Sequence, residues 1–279
     1  MAVKEKYKQL VHKLARYGCF SIGLVYLMVG VIALLSLLGV KDGGADEDSI
    51  LNFLMGIPMG PVLIWGIIGG LIGYIVWRVF EAITDPYEFG SHLKGIGQRT
   101  GIALSGFGYG VIAYSAITYL LGTGNGGDGE REQQLMVSEV LQWPAGSWLV
   151  GAAGLVVAFT AFVQFKFVID GDHNPRLAIE HLSAAKKKWI HILAWAGYFA
   201  RGIILLVLAY FILKAAITSN PFEIGNTDTA FDFIGKGIIG HTLFVLVGLG
   251  TIAYGLFMFV FGYFYSFRKG KTGPYTQQP

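Results

Sequence analysis

The sequence predicts an all-α integral membrane protein. Six transmembrane helices are expected as three parallel two-helix repeats with short outer amphipathic helices, closed into a pseudo-threefold bundle. Three observations predict it. Charged residues make up 14% of the 279 positions and hydrophobic ones 54%. A soluble domain carries about 25% charge, so too little polar surface is available to cover one. Six apolar runs each reach the roughly 20 residues a spanning helix needs. Finally, the glycine pattern of the first two runs recurs twice along the chain.

The runs cover Arg16 to Gly39, Gly60 to Phe80, Thr100 to Leu121, Gly146 to Ile169, Ile190 to Leu213 and Gly240 to Phe264. None alternates strictly, which argues against a barrel. None contains an internal proline; Pro58, Pro61, Pro86, Pro144, Pro175 and Pro221 fall at run ends or in connections, where the missing N–H costs little. Lys4, Lys6, Lys8 and Lys13 precede the first run in the manner of a signal peptide. The run is too long for an h-region and no cleavage site follows, so it is expected to persist as a helix.

Six spans place both termini on one side, and the basic residues choose the side. The termini together with the second and fourth connections carry 16 Lys and Arg; the other three connections carry 4. Both termini of a multi-pass membrane protein are therefore expected on the cytoplasmic side. The outer connections hold 11 acidic residues, for a net charge of −7 against +9 inside. Trp65, Trp143 and Trp148 fall near the outer boundary, Trp77 and Trp189 near the inner one, as an aromatic belt requires.

The repeats are readable position by position. Gly18, Gly23 and Tyr26 match Gly101, Gly106 and Tyr109 at an offset of 83, and match Gly197, Gly202 and Leu205 at 179. In the even spans Gly66, Gly69 and Tyr74 fall on Gly151, Gly154 and Phe159 at an offset of 85; Gly60, Leu63 and Tyr74 fall on Gly240, Leu243 and Tyr254 at 180. Each outer connection holds a short amphipathic stretch, Ser49 to Met55, Gln134 to Gln142 and Thr229 to Ile234, with Ser49 and Thr229 as expected N-caps. The units divide as 1–93 (basic segment and repeat 1), 94–175 (repeat 2) and 176–279 (linker, repeat 3 and basic tail), all within one membrane domain.

This pattern resembles a bacterial family catalogued as domain of unknown function 1206, from about Lys13 to Phe267. The motif is best preserved as Gly197-Tyr198-Phe199-Ala200-Arg201-Gly202; Ile22 and Ser105 stand where Arg201 stands in the third unit. The resemblance implies a membrane location, three tandem two-helix copies and no established activity.

Candidate site residues follow from what lipid penalises. Gly66 with Gly70, Gly69 with Gly73 and Gly106 with Gly110 form small-x3-small pairs; with Gly23, Gly202 and Gly250 they are expected at helix–helix contacts, where backbones approach closely. Arg201 is the only Lys or Arg well inside a run. A charge at mid-bilayer costs about 2.5–3.5 kcal/mol, so it is expected to face the bundle. Gln164 and Glu81 are its expected partners, and the three are the candidate ligand or partner site. Arg78, Glu81 and Asp85 share a helical face and suggest an ion pair at the cytoplasmic edge.

His191 and His241 begin their helices on opposite sides, which argues against a bundle haem. Asp170 to Pro175 lacks calcium-loop or zinc spacing. No cofactor and no metal are expected. The chain has no H-E-x-x-H, G-x-S-x-G or Walker pattern, so no enzymatic activity is expected. Gly122 to Gly127 reads as a flexible outer loop and Cys19 as an inert small hydrophobe. No basic run is interleaved with stacking aromatics, so nucleic acid is not an expected partner. The expected partners are the lipid bilayer and a membrane protein or a homo-oligomer. The leading reading is a non-catalytic accessory or scaffold component acting through helix packing; the alternative is a small channel or transporter with a polar site around Arg201.

Overall fold

A computed structural model describes residues 5–39, 47–85, 90–122, 129–170, 177–179, 181–237 and 239–265. Asp42 and Asp46 of the acidic stretch, the loop from Thr123 to Gly127, Asp172 to Pro175 and the C-terminal cations lie outside them. The described residues form nine α-helices: α1 (Glu5–Leu37), α2 (Glu47–Met55), α3 (Gly60–Thr84), α4 (Leu93–Leu120), α5 (Gly129–Leu141), α6 (Gly146–Ile169), α7 (Ala184–Thr218), α8 (Thr227–Ile234) and α9 (Gly240–Phe264), with a 3-10 turn at Pro221–Glu223. Five are long and apolar enough to cross a membrane: α1, α3, α6, α7 and α9. The sixth expected span corresponds to α4, 28 residues long.

Helix boundaries follow local chemistry. Gly60 and Pro61 open α3, where proline's missing N–H would be unsatisfied in any case. Asp85 ends it in the left-handed region (φ 45°), one residue before Pro86, and its Oδ2 accepts a hydrogen bond from the Gly90 amide at 2.8 Å. Arg99 on α4 donates to the terminal carbonyls of Ala82 (2.7 Å) and Ile83 (3.2 Å), a cation where the helix leaves acceptors open. α1 and α7 extend well beyond the apolar runs at their basic ends, because Lys and Arg are good helix formers once the apolar stem is docked.

The three short helices α2, α5 and α8 lie where the amphipathic stretches were expected, but their caps differ. Asn226 caps α8, its side chain accepting from the Thr229 amide at 3.0 Å, while Thr229 at N3 reaches back to the Asn226 amide. Thr229 thus serves the capping box from its far end. α2 starts at Glu47, which puts Ser49 within its first turn. Asn226→Ala is expected to cost about 1 kcal/mol, measurable as a small drop in the thermal midpoint of detergent-purified protein.

The long helices pack in a spatial order that differs from chain order. α4 lies on α3, α3 on α1, α1 on α9, α9 on α7 and α7 on α6. α4 and α6 close no comparable contact with each other among the described residues. Glycines carry these interfaces. Gly23 meets Gly255 and Phe259 of α9, Gly70 meets Ser21 and Gly73 meets Leu14 of α1, Gly202 meets the Phe165 ring of α6, and Gly250 meets Ala200 of α7. Gly106 and Gly110 face Arg78 and Ile75 of α3; Gly66 faces Tyr17, whose hydroxyl donates to the Gly66 carbonyl at 2.7 Å.

Candidate functional site

At the middle of α7, Arg201 turns inward to a group of tyrosines. Its Cζ lies over the rings of Tyr254 (5.0 Å), Tyr26 (5.3 Å) and Tyr109 (5.6 Å), which come from α9, α1 and α4. One guanidinium nitrogen donates to the Tyr254 hydroxyl. The aromatic faces attract the cation through their quadrupoles. Edge-to-face contacts brace the cage: Tyr26 on Tyr254 (4.8 Å), Tyr198 on Tyr254 (5.3 Å) and Tyr74 on Tyr109 (4.8 Å). Such pairs hold rings at fixed angles and add to their burial.

Two polar atoms of this cage are buried with no hydrogen-bond partner among the described residues: Arg201 Nε and the Tyr109 hydroxyl. Among the described residues Arg201 meets no carboxylate. The expected acceptors do not serve it: Glu81 is committed elsewhere, and Arg201's hydrogen bond goes to Tyr254 instead of Gln164. Tyr26, Tyr109 and Tyr254 were not read as its partners because they stand 83 and 145 residues apart along the chain. The signal was present: Tyr26 and Tyr109 occupy one repeat position, Tyr74 and Tyr254 another.

Glu81 belongs to a second buried polar group one turn along α3. It is 0% exposed and pairs with Arg78 at 2.9 Å. Tyr265 donates to its other oxygen at 2.9 Å and accepts from Trp77 Nε1 at 3.0 Å. Arg78 also donates to the Tyr74 hydroxyl at 2.8 Å and lies over the Trp77 ring at 4.5 Å. The ion pair expected at the cytoplasmic edge is thus part of the core. Phe261 near the end of α9 and Tyr265 just beyond it pack their rings on Trp77 and on each other. Asp85 does not join it and serves the helix end.

On the far side of the bundle Glu130 of α5 accepts from Thr229 of α8 at 2.6 Å and from Gln134 at 2.9 Å, and Lys214 pairs with Glu223 at 2.7 Å. These contacts tie the outer helices together. Among the described residues no group of three or more His, Cys, Asp or Glu side chains is placed to hold a metal ion. Cys19 is buried against Gly262 and has no partner.

A model of the family described as Domain of Unknown Function (DUF1206) matches the chain three times, at residues 17–85, 100–166 and 196–264. The chain belongs to this family. The three DUF1206 matches correspond to α1 through α3, α4 through α6 and the greater part of α7 through α9. The DUF1206 chain is also 31% identical over 273 residues to the uncharacterized protein YxxB of Bacillus subtilis (strain 168), covering 94% of this chain and 97% of that one. No solved structure matches.

The matches set equivalent residues side by side. In the first DUF1206 repeat Gly18 lies against Tyr74, and a Cβ there would stand 2.6 Å from Tyr74 Cβ. In the third, a Cβ on Gly197 would stand 2.5 Å from Tyr254 Cα. In the second, Gly101 has nothing within 4 Å. Its expected mate Phe159 is 67% exposed, where Tyr74 and Tyr254 are each 2%. The faces that close repeats one and three are therefore parted in repeat two.

Proposed function

We propose that this DUF1206 chain is a non-catalytic, multi-pass component of a bacterial plasma membrane that acts through helix packing, with the parted second repeat as the packing surface. α4 is the sixth span, both termini are cytoplasmic, and the three repeats follow one another around an axis along the membrane normal. The contacts between successive repeats support that arrangement. Gly23 meets α9, Gly106 meets α3 and Gly202 meets α6, and each touches the neighbour within about one turn of the equivalent level.

The observation that carries the reading is the contrast between Phe159 and its equivalents. Tyr74 and Tyr254 are buried by the glycine faces of α1 and α7; Phe159 is not buried by α4. The complement each bare face fits is known from the same chain. α4 takes an aromatic face of the α3 or α9 kind, and α6 takes a glycine face of the α1 or α7 kind. A second copy supplies both at once. A twofold axis along the membrane normal sets α4 opposite the second copy's α6 and α6 opposite its α4, a self-complementary contact.

Two differently sized copies test this, both with Cys19→Ser, one carrying Gly101→Cys and the other Phe159→Cys. Oxidation in native membranes is expected to link them as a mixed dimer. No disulfide between copies would defeat the reading. A single chain carrying both cysteines that locks into an internal disulfide would show the repeat closing on itself and defeat it too. Topology is tested separately. In the same background, an impermeant thiol reagent added outside is expected to label Asp128→Cys and spare Lys187→Cys; the reverse pattern would invert the orientation.

A further inference from the structure

We propose that the cage of Arg201, Tyr109, Tyr26 and Tyr254 is a binding site for a small monovalent anion. The site does not rest on the packing reading above. It rests on what the cage lacks. Arg201 carries a full charge in the middle of a 35-residue membrane helix, and among the described residues no carboxylate neutralises it. The second arginine of the interior, Arg78, has Glu81. Tyrosine faces attract a cation but carry no net charge, so the cage remains one positive charge in excess.

The hydrogen-bond count points the same way. Arg201 Nε and the Tyr109 hydroxyl are both buried donors without a partner, and Tyr109 is only 4% exposed. Both belong to side chains that face each other, with the guanidinium carbon 5.6 Å from the Tyr109 ring centre. What they share is the need for an acceptor. An anion seated between the guanidinium edge and the phenol satisfies both donors and the charge together, through charge-assisted hydrogen bonds.

Arg201 is partly exposed as a residue, while its Nε is buried. α4, which carries Tyr109, is packed on α3 and stands clear of α6. Charge and surroundings set the class. One unpaired arginine balances one negative charge. The desolvation cost rises steeply with charge in apolar surroundings, which selects weakly hydrated monovalent anions over sulfate or phosphate. A halide and a small carboxylate share this chemistry.

The test is equilibrium binding of radiolabelled chloride to the full chain in detergent, with formate and sulfate as competitors. Saturable binding is expected, displaced by formate and not by sulfate at equal concentration. If formate displaces chloride with higher affinity, the natural ligand is a carboxylate; if with lower, a halide. Arg201→Leu is expected to abolish binding. Tyr109→Phe keeps the ring over the cation and removes only the hydroxyl, so it is expected to weaken binding about tenfold to a hundredfold with the fold intact. That variant decides the matter even if Arg201→Leu does not fold. The absence of saturable binding, equal affinity in Tyr109→Phe, or equal competition by sulfate would each overturn the proposal.

Discussion

Alanine at three equivalent glycines is expected to give three unequal results. A Cβ added at Gly18 would stand 2.6 Å from Tyr74 Cβ and 2.8 Å from its backbone, so α1 and α3 must separate to admit it. At Gly197 the new atom meets Tyr254 Cα at 2.5 Å and its amide nitrogen at 2.7 Å, so α7 and α9 must separate. Backbone cannot rotate away as a flexible side chain can. Overpacking of this kind costs about 1–3 kcal/mol. At Gly101 a Cβ meets nothing within 4 Å, and alanine relieves the entropy that glycine brings to a helix, worth up to about 1 kcal/mol in its favour. Thermal unfolding in detergent, followed by loss of the monodisperse peak, is expected to rank Gly101→Ala at or above the parent and both others well below it. Equal destabilisation at all three would mean that α4 and α6 close on one another as their counterparts do. Gly101→Ala that is neutral in detergent and destabilising in native membranes would mark that face as covered in the bilayer.

The same three positions show what could be read in the chain and what could not. Lipid imposes length and composition on a span, so α3, α6 and α9 begin where their runs begin, and α6 and α9 end where theirs end. The glycine spacing announced close approach, and Gly23, Gly70, Gly202 and Gly250 are at such contacts. The gap in repeat two was illegible because Gly101 repeats the motif glycine and Phe159 keeps an aromatic ring where Tyr74 and Tyr254 stand; parting depends on neighbours, not on the two residues themselves. Arg201's inward direction followed from the cost of charge in lipid. Its partners did not follow, since residue type was used to choose acceptors. Glutamate and glutamine looked more apt than tyrosine, yet Glu81 stands three residues from Arg78 on one helix and is claimed locally. Tyr26, Tyr109 and Tyr254 converge only once α1, α4 and α9 are assembled. The buried position of the Arg78–Glu81 pair also required tertiary structure, because Tyr265, which covers it, lies 184 residues further on.

That pair sets the second large effect. Glu81→Ala removes a fully buried carboxylate from a side-chain network whose Arg78 is 16% exposed. Arg78 then keeps its bond to Tyr74 but loses its counter-charge, while the Tyr265 hydroxyl loses its acceptor. Breaking a buried ion pair on one side costs about 3–5 kcal/mol, since the remaining charge has already given up its hydration. Tyr265→Phe leaves the ion pair in place and takes away one donor to Glu81 and one acceptor for Trp77 Nε1. It is expected to cost less, about 1–3 kcal/mol. The double replacement Arg78→Met with Glu81→Leu removes both charges and fills the space, and buried pairs replaced in this way are often neutral or better. It is therefore expected to recover most of the stability lost in Glu81→Ala. Unfolding of the four proteins under one set of conditions checks the order: parent and double replacement highest, Tyr265→Phe next, Glu81→Ala lowest. If the double replacement falls as low as Glu81→Ala, the pair contributes through a role that apolar packing cannot supply, and the argument from desolvation fails.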